Sequence, residues 1–200
     1  MLRGLLKYIT YVNTLDNNMQ NAAHICAKHG ELECLRLLAA NGIDLRQRDG
    51  LGMEPSHVAA YYNQPRILEF LFEMGVPMTE HCSGGKAPLH YACESGALDS
   101  VRTLSGYCAD VSMCDRLEAN TGAHWAARFD RLDCLKLLAS LGLPLDLLRN
   151  ELGRTVAHVC CLHGSVRSLH WLLENFDFHR FAIDSNTLKS PLTIFFYYTQ

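Results

Sequence analysis

Five histidines, His24, His57, His90, His124 and His158, recur at intervals of 33, 33, 34 and 34 residues. Each closes a short lead-in rich in Thr, Pro or Ala and opens an apolar run. This period constrains the fold more than any other feature of the chain, because a unit of that size cannot bury its own hydrophobic face and must stack on its neighbours. The expectation is a pile of like units, with function on a surface rather than in a deep pocket.

The register holds at other positions. Six residues after each histidine stand Gly30, Asn63, Gly96, Asp130 and Gly164, residue types that tolerate a left-handed backbone and so end one helix before the next begins. An apolar stripe at helical spacing follows: Cys34, Leu35, Leu37 and Leu38; Ile67, Leu68 and Leu71; Val101 and Leu104; Cys134, Leu135, Leu137 and Leu138; Leu169, Trp171 and Leu172. Gly42, Gly75 and Gly142 then end the second helix of their units, with Cys108 and Phe176 in that place in the third and fifth. Residues 32–42 and 132–142, LECLRLLAANG and LDCLKLLASLG, share most of their residues although they lie far apart in the chain.

The lead-ins carry a family likeness. Gly85-Lys86-Ala87-Pro88-Leu89-His90-Tyr91-Ala92, followed by Gly96, resembles the ankyrin repeat pattern, and the other units keep its register with degraded identity: Asn21-Ala22-Ala23-His24, Glu54-Pro55-Ser56-His57, Thr121-Gly122-Ala123-His124 and Thr155-Val156-Ala157-His158. The resemblance implies an all-α solenoid of stacked helix-turn-helix units joined by hairpin-like loops. It also implies a structural role for the five histidines, tying adjacent hairpins together. One domain over residues 1–200 is expected, with repeats at 17–48, 49–81, 82–115, 116–149 and 150–184 and partial repeats at 1–16 and 185–200. Leu5 to Tyr8 and Val12-Asn13 read as the tail of a preceding unit, and Ser190 to Tyr198 as the inner helix of a following one. The pattern reads as a piece of a longer protein.

Composition narrows the function. A net charge of −3 without a Lys/Arg run gives no reason to expect nucleic acid as a partner, and no apolar stretch approaches a membrane span. The N-terminal apolar run is interrupted by Lys7 and no small-residue cleavage site follows, so secretion is not expected. Nine cysteines, most at helical positions where the repeat wants a small or apolar residue (Cys26, Cys34, Cys93, Cys134, Cys160, Cys161), read as packing thiols in a reducing cytoplasm or nucleus.

His158, Cys160, Cys161 and His163 are all metal-ligand types, but on a helix only pairs of them share a face. No metal or other cofactor is expected. Ser83-Gly84-Gly85-Lys86 resembles a phosphate loop only in part, since Glu80 and Ala87 stand where it needs Gly and Ser/Thr, and it reads as a hairpin tip. No nucleophile elbow, paired-carboxylate motif or dinucleotide fingerprint occurs in a suitable context. We expect neither an enzyme nor a small-molecule substrate.

Recognition of a protein partner remains. The resemblance implies docking on a concave face made by hairpin tips and the exposed ends of the inner helices. At those register positions this chain holds Leu51, Met53, Tyr61, Tyr62, Leu117, Phe129, Leu152 and Leu162, with Arg128 and Arg154 beside them. Such an apolar band with a charged rim has the composition of an interface. Each side chain could instead lie down against the next repeat. The expected function is a noncatalytic scaffold or adaptor. The alternative is a regulatory part of a larger enzyme, channel or ubiquitin-ligase adaptor.

Overall fold

The computed structural model describes residues 12–107 and 110–176, so Leu5 to Tyr8, Cys108 and Ser190 to Tyr198 lie outside the described residues. Among the described residues ten helices follow one another: α1 (Ala22–His29), α2 (Leu32–Ala40), α3 (Pro55–Tyr61), α4 (Pro65–Glu73), α5 (Pro88–Ser95), α6 (Leu98–Tyr107), α7 (Gly122–Arg128), α8 (Leu132–Ser140), α9 (Val156–His163) and α10 (Val166–Asn175). None is long and apolar enough to cross a membrane.

A recurring local arrangement starts each odd-numbered, inner helix. Asn21, Glu54, Ala87, Thr121 and Thr155 are held extended, with φ between −92° and −80° and ψ between 163° and 176°. Each donates its backbone N–H to Nδ1 of the histidine three residues on, at 3.0–3.3 Å. A donor at the helix start that would otherwise lack a partner is thereby satisfied from within the first turn.

The inner helices end where the sequence places the punctuation. Gly30, Asn63, Gly96, Asp130 and Gly164 all have positive φ, from 52° to 83°. At Gly30 and Gly96 space matters as well as φ, because a Cβ would run into the Gln64 and Arg131 side chains of the following unit. Asn63 and Asp130 instead bond forward: Asn63 Oδ1 accepts from Ser100 N at 3.0 Å, and Asp130 Oδ1 accepts from Ser168 N at 2.9 Å and Ser168 Oγ at 2.7 Å.

Packing follows from the same register. Inner helices contact inner helices in the order α1, α3, α5, α7, α9, outer ones in the order α2, α4, α6, α8, α10, and each inner helix packs on the outer helix after it. Two positions after each histidine the small residues Cys26, Ala59, Ala92, Ala126 and Cys160 are buried, which lets the inner helices approach closely. Fourteen positions after it stands a leucine in every unit, and Leu71, Leu104, Leu138 and Leu172 are fully buried. Leu38, on α2 with a described outer helix on one side only, is partly exposed.

The outer helices depart from expectation in one respect. Cys34 is exposed rather than packed, and Leu37 also faces solvent. Both are exposed on α2, so their apolar character alone misassigns them.

Hairpins open at Asp16, Asp49, Cys82, Asp115 and Asn150, where the backbone N–H donates to the carbonyl of Gln20, Met53, Lys86, Asn120 and Arg154 respectively, at 2.8–3.1 Å. The fourth spans one residue more than the others and has Ala119 at φ 54° near its end. This extra residue accounts for the longer interval between His90 and His124. Before the first hairpin, Asn13 already exchanges hydrogen bonds with the loop after α2, donating to Gly42 O at 3.2 Å and accepting from Asp44 N at 2.7 Å.

Candidate protein-interaction face

The histidines form an interior line that links unit to unit. With Nδ1 accepting a backbone N–H, the proton of the neutral ring belongs on Nε2. From there His24, His57, His90 and His124 donate to the carbonyls of Met53, Glu80, Met113 and Arg154 at 3.0–3.1 Å. Burial pushes His57, His90 and His124 down to about 4, so these rings stay neutral at physiological pH. Buried, neutral and with both nitrogens engaged, these rings have neither solvent access nor a spare proton acceptor for catalysis.

Above this line the hairpins make a rim. Asp16, Asp49, Asp115 and Asn150 each turn Oδ1 inward to accept two or three backbone N–H groups of their own hairpin. For Asp115 burial works upward, but the N–H groups of Glu118 and Leu117 and the Trp125 indole outweigh it, and its carboxyl is held low. Cys82 occupies this place in the third hairpin, and its thiol lies 3.3 Å from Tyr91 Oη instead. Neighbouring hairpins are stitched by Gly50 N to Asn18 O, Ser83 N to Leu51 O, Arg116 N to Gly85 O and Glu151 N to Glu118 O, at 2.8–3.2 Å.

The side chains on the face of this rim fall into two groups. Leu51, Met53, Tyr61 and Tyr62 surround a cleft of about 290 Å³ that Tyr91 closes from the next unit, with Lys28 at its edge. The rings meet edge to face, Tyr61 with Tyr62 at 5.3 Å and with Tyr91 at 6.4 Å between centroids. Farther along, Arg128, Arg154 and Leu162 line a shallow recess with Trp125 and His163. Phe129 stacks on Trp125 there, 6.3 Å between centroids. Leu117 and Leu152 belong to neither group and sit on the hairpins. Exposure separates the ten residues: Leu51 (67%), Leu117 (61%), Tyr62 (45%), Tyr61 and Phe129 (both 40%) reach solvent. Arg128 is exposed too, whereas Met53, Leu152, Arg154 and Leu162 are half-buried, Met53 and Leu162 against the core.

Between the groups lies a contact not evident in the sequence. Lys86, the last residue of the loop-like Ser83–Lys86 stretch, places Nζ 2.6 Å from Glu94 Oε2, 3.5 Å from the Trp125 ring centroid and 5.1 Å from that of Tyr91. Tyr91 and Trp125 both follow their histidine directly; Trp125 is buried within the core and Tyr91 is partly buried against it. That offset is the signal by which they could have been found. The Arg128 guanidinium lies over the same Trp125 at 5.3 Å and over Phe129 at 5.9 Å. Burial first, then Arg128 and Arg154, lower the His163 pKa, with Glu118 opposing.

The ligand-type residues of α9 are divided between environments. His158, Cys160 and Cys161 are buried in the packing and His163 is exposed, while burial raises the Cys160 thiol well above its usual range.

A solenoid of helix pairs tied by buried histidines, with exposed hairpin rims along one face, defines a class of stacked-repeat protein. The family model described as "Ankyrin repeats (3 copies)" matches residues 1–81, 48–113 and 89–182, and the chain belongs to the ankyrin repeat family. It is similar to ankyrin repeat domain-containing protein 37 of Xenopus tropicalis, 32% identical over 49% of this chain and 60% of the relative. It is also similar to NF-kappa-B inhibitor alpha of Homo sapiens (31%; 62% of this chain, 42% of the relative) and to inversin of Canis lupus familiaris (28%; 82% and 16%). The chain thus spans between about a sixth and three fifths of these relatives. Ankyrin repeats are protein-interaction modules and generally noncatalytic.

Proposed function

We propose that the chain is a noncatalytic adaptor module that binds a protein partner through its concave face, by Leu51, Met53, Tyr61, Tyr62, Leu117, Arg128, Phe129, Leu152, Arg154 and Leu162. One observation carries this reading: Leu51, Tyr61, Tyr62, Leu117 and Phe129 stay exposed together on one face although each could have folded against a neighbour. Large rings and aliphatic groups held in fixed positions lose little entropy on contact, and Tyr and Arg dominate interface hot spots. A cytoplasmic or nuclear setting fits the free thiols of the described cysteines.

A second reading, a regulatory part of a longer protein, is favoured by the relatives' lengths. The chain matches 18% of a protein described as putative palmitoyltransferase ZDHHC13 of Danio rerio.

The test is affinity capture with the intact chain followed by titration of the captured partner. Tyr61→Ala and Phe129→Ala should each weaken it by about 1–3 kcal/mol while thermal stability changes little. Early melting with unaltered binding would assign the rings to the core and move the partner to another surface.

A further inference from the structure

The first unit leaves open several positions that the later units close. Ala22 is exposed where Pro55, Pro88, Gly122 and Val156 are buried, and Cys34 is exposed where Ile67, Ser100, Cys134 and Ser168 are buried. Ile25, 45% exposed, stands in the place of Val58, Trp125 and Val159, which are buried, and of Tyr91, which is half-buried. Leu37, 62% exposed, stands in the place of the buried Phe70, and Leu38 is the leucine that every later unit encloses fully.

In the later units it is the preceding unit that closes these positions. A Cβ on Gly122 would come within 2.9 Å of Cys93 Sγ, and Tyr91 meets the rings of His57 and Tyr61 at 5.9 and 6.4 Å between centroids. Burial first, then Cys134 from the next unit, raise the Cys93 thiol. Gly122, Tyr91 and Cys134 are the counterparts of Ala22, Ile25 and Cys34, and each is matched to the inner helix before it. Phe70, the counterpart of Leu37, instead lies 4.9 Å from the Arg36 guanidinium of the preceding outer helix. The first unit therefore presents two open places side by side, one for an inner helix over Ala22, Ile25 and Cys34, and one for an outer helix over Leu37 and Leu38.

The sequence holds an occupant for the outer place. Thirty-three residues before Leu35, Arg36 and Leu38 stand Leu2, Arg3 and Leu5. Leu35 and its counterparts Leu68, Val101, Leu135 and Leu169 are all buried, so Leu2 and Leu5 fall at the two places where an outer helix meets the core. Arg3 matches Arg36, the residue that covers Phe70. The path of the backbone agrees: Val12 packs against the core, and Asn13 bonds to Gly42 O and Asp44 N just beyond the end of α2. Eight helical residues, 2 to 9, would span about 12 Å, against about 13.5 Å for the nine residues of α2.

We propose that residues 2–9 occupy the outer place as a helix, with Leu2 and Leu5 turned to the stack and Arg3 over Leu37 as Arg36 lies over Phe70, and that the inner place over Ala22, Ile25 and Cys34 stays open. The segment caps the outer row of helices, whose first member would otherwise present leucine to water.

Hydrogen exchange of the full chain, read by mass spectrometry, tests this with Leu5→Gln and Leu37→Gln. Gln is close to Leu in helix propensity, so Leu37→Gln on an open surface would change nothing. The amides of residues 2–9 should exchange at least about tenfold more slowly than an unstructured peptide, and either substitution should abolish that protection while leaving α3 to α9 as they were. Each should lower the melting midpoint by about 2–4 °C, and the two together by no more than either alone. A thiol reagent should modify Cys34 at one rate in parent and variants, because the inner place is open in all of them. Leu2→Gln provides a second probe from the side of the segment.

Exchange of residues 2–9 at the rate of an unstructured peptide, or protection that Leu37→Gln leaves unmoved, would overturn the proposal. Protection that grows with protein concentration would give the face to a second copy of the chain, and Cys34 modification that accelerates in Leu5→Gln would put the segment over the inner place. Either result overturns it as well.

Discussion

In the second repeat the residue three places before the histidine is Glu54; in the fourth it is Thr121. Both donate a backbone N–H to the histidine, at 3.0 and 3.2 Å, and both helices begin in the same way. The side chains behave differently. Thr121 sets its hydroxyl 2.9 Å from His124 Nδ1. Glu54 carries a carboxylate whose side chain is 1% exposed and whose oxygens accept no hydrogen bond, with Arg48 and Arg46 at 3.5 and 3.8 Å. Burial raises its pKa, and the two arginines only partly offset that. The difference teaches that the histidine-to-backbone link starts the helix, which frees the preceding side chain to vary even at a penalty. The counterparts of Arg46 and Arg48 before the fourth hairpin are Ser112 and Cys114, so the fourth repeat has no cations at those places to support a carboxylate.

Four measurements would break or sharpen this comparison. The largest effect is expected where the two repeats are alike. Leu71→Asp and Leu138→Asp each bury an unpaired charge at a fully enclosed site and should destabilise by roughly 3–5 kcal/mol in urea unfolding followed by circular dichroism. Leu38→Asp should lose less, and a clear inequality between the first two would show that the units are not equivalent.

Acidification acts on both repeats next. His57 and His124, with His90, have folded pKa values near 4 against an ordinary 6.5, so below pH 6.5 the unfolded chain takes up protons that the native one refuses. Stability should be insensitive to these groups above pH 6.5, fall as pH drops toward 4, and level off below. The limiting slope is about 1.4 kcal/mol per pH unit for each histidine. Proton uptake on unfolding that does not rise across this window would contradict their burial as neutral rings.

Exchanging the variable residue probes the contrast itself. Thr121→Glu should destabilise by about 2–3 kcal/mol, and Glu54→Thr should stabilise by about 1–2. Because the folded pKa of Glu54 is raised, its penalty grows as pH rises through that value and is relieved in acid. The benefit of Glu54→Thr should therefore shrink as pH is lowered, and equal melting of mutant and parent at neutral pH would refute the account.

The smallest effects belong to the outer surface. Glu33, Arg36, Asp133 and Lys136 are exposed, and replacing any of them with Ala should shift stability by no more than about 0.5 kcal/mol. Arg36, over Phe70 at 4.9 Å, is the sharpest check among them.

Features that depend on a few consecutive residues were legible without coordinates. Helix starts at the five lead-ins, left-handed stops such as Gly30 and Asp130, and the leucine stripe are set by backbone sterics and the helical period, which neighbouring residues alone determine. The apolar positions of the inner face were legible by register, but their exposure was not. Met53 and Leu162 settle partly against the core, whereas Leu51 and Phe129 do not. Tyr91 and Trp125 are brought together only by Lys86, whose Nζ lies over both rings from the hairpin before α5.

The sequence by itself determined that the chain is an all-α stack of like helix pairs and where the helices of the described residues begin and end, because those properties follow from a local pattern repeated in register. Only the tertiary structure decided that Glu54 is buried between Arg46 and Arg48, that Lys86 bridges Glu94 and Trp125, that Cys34 faces solvent, and that Tyr61, Tyr62 and Tyr91 close one cleft. Those depend on distances between residues of successive units and on which face each helix turns to its neighbour, and a one-dimensional pattern of apolar and polar residues does not contain them.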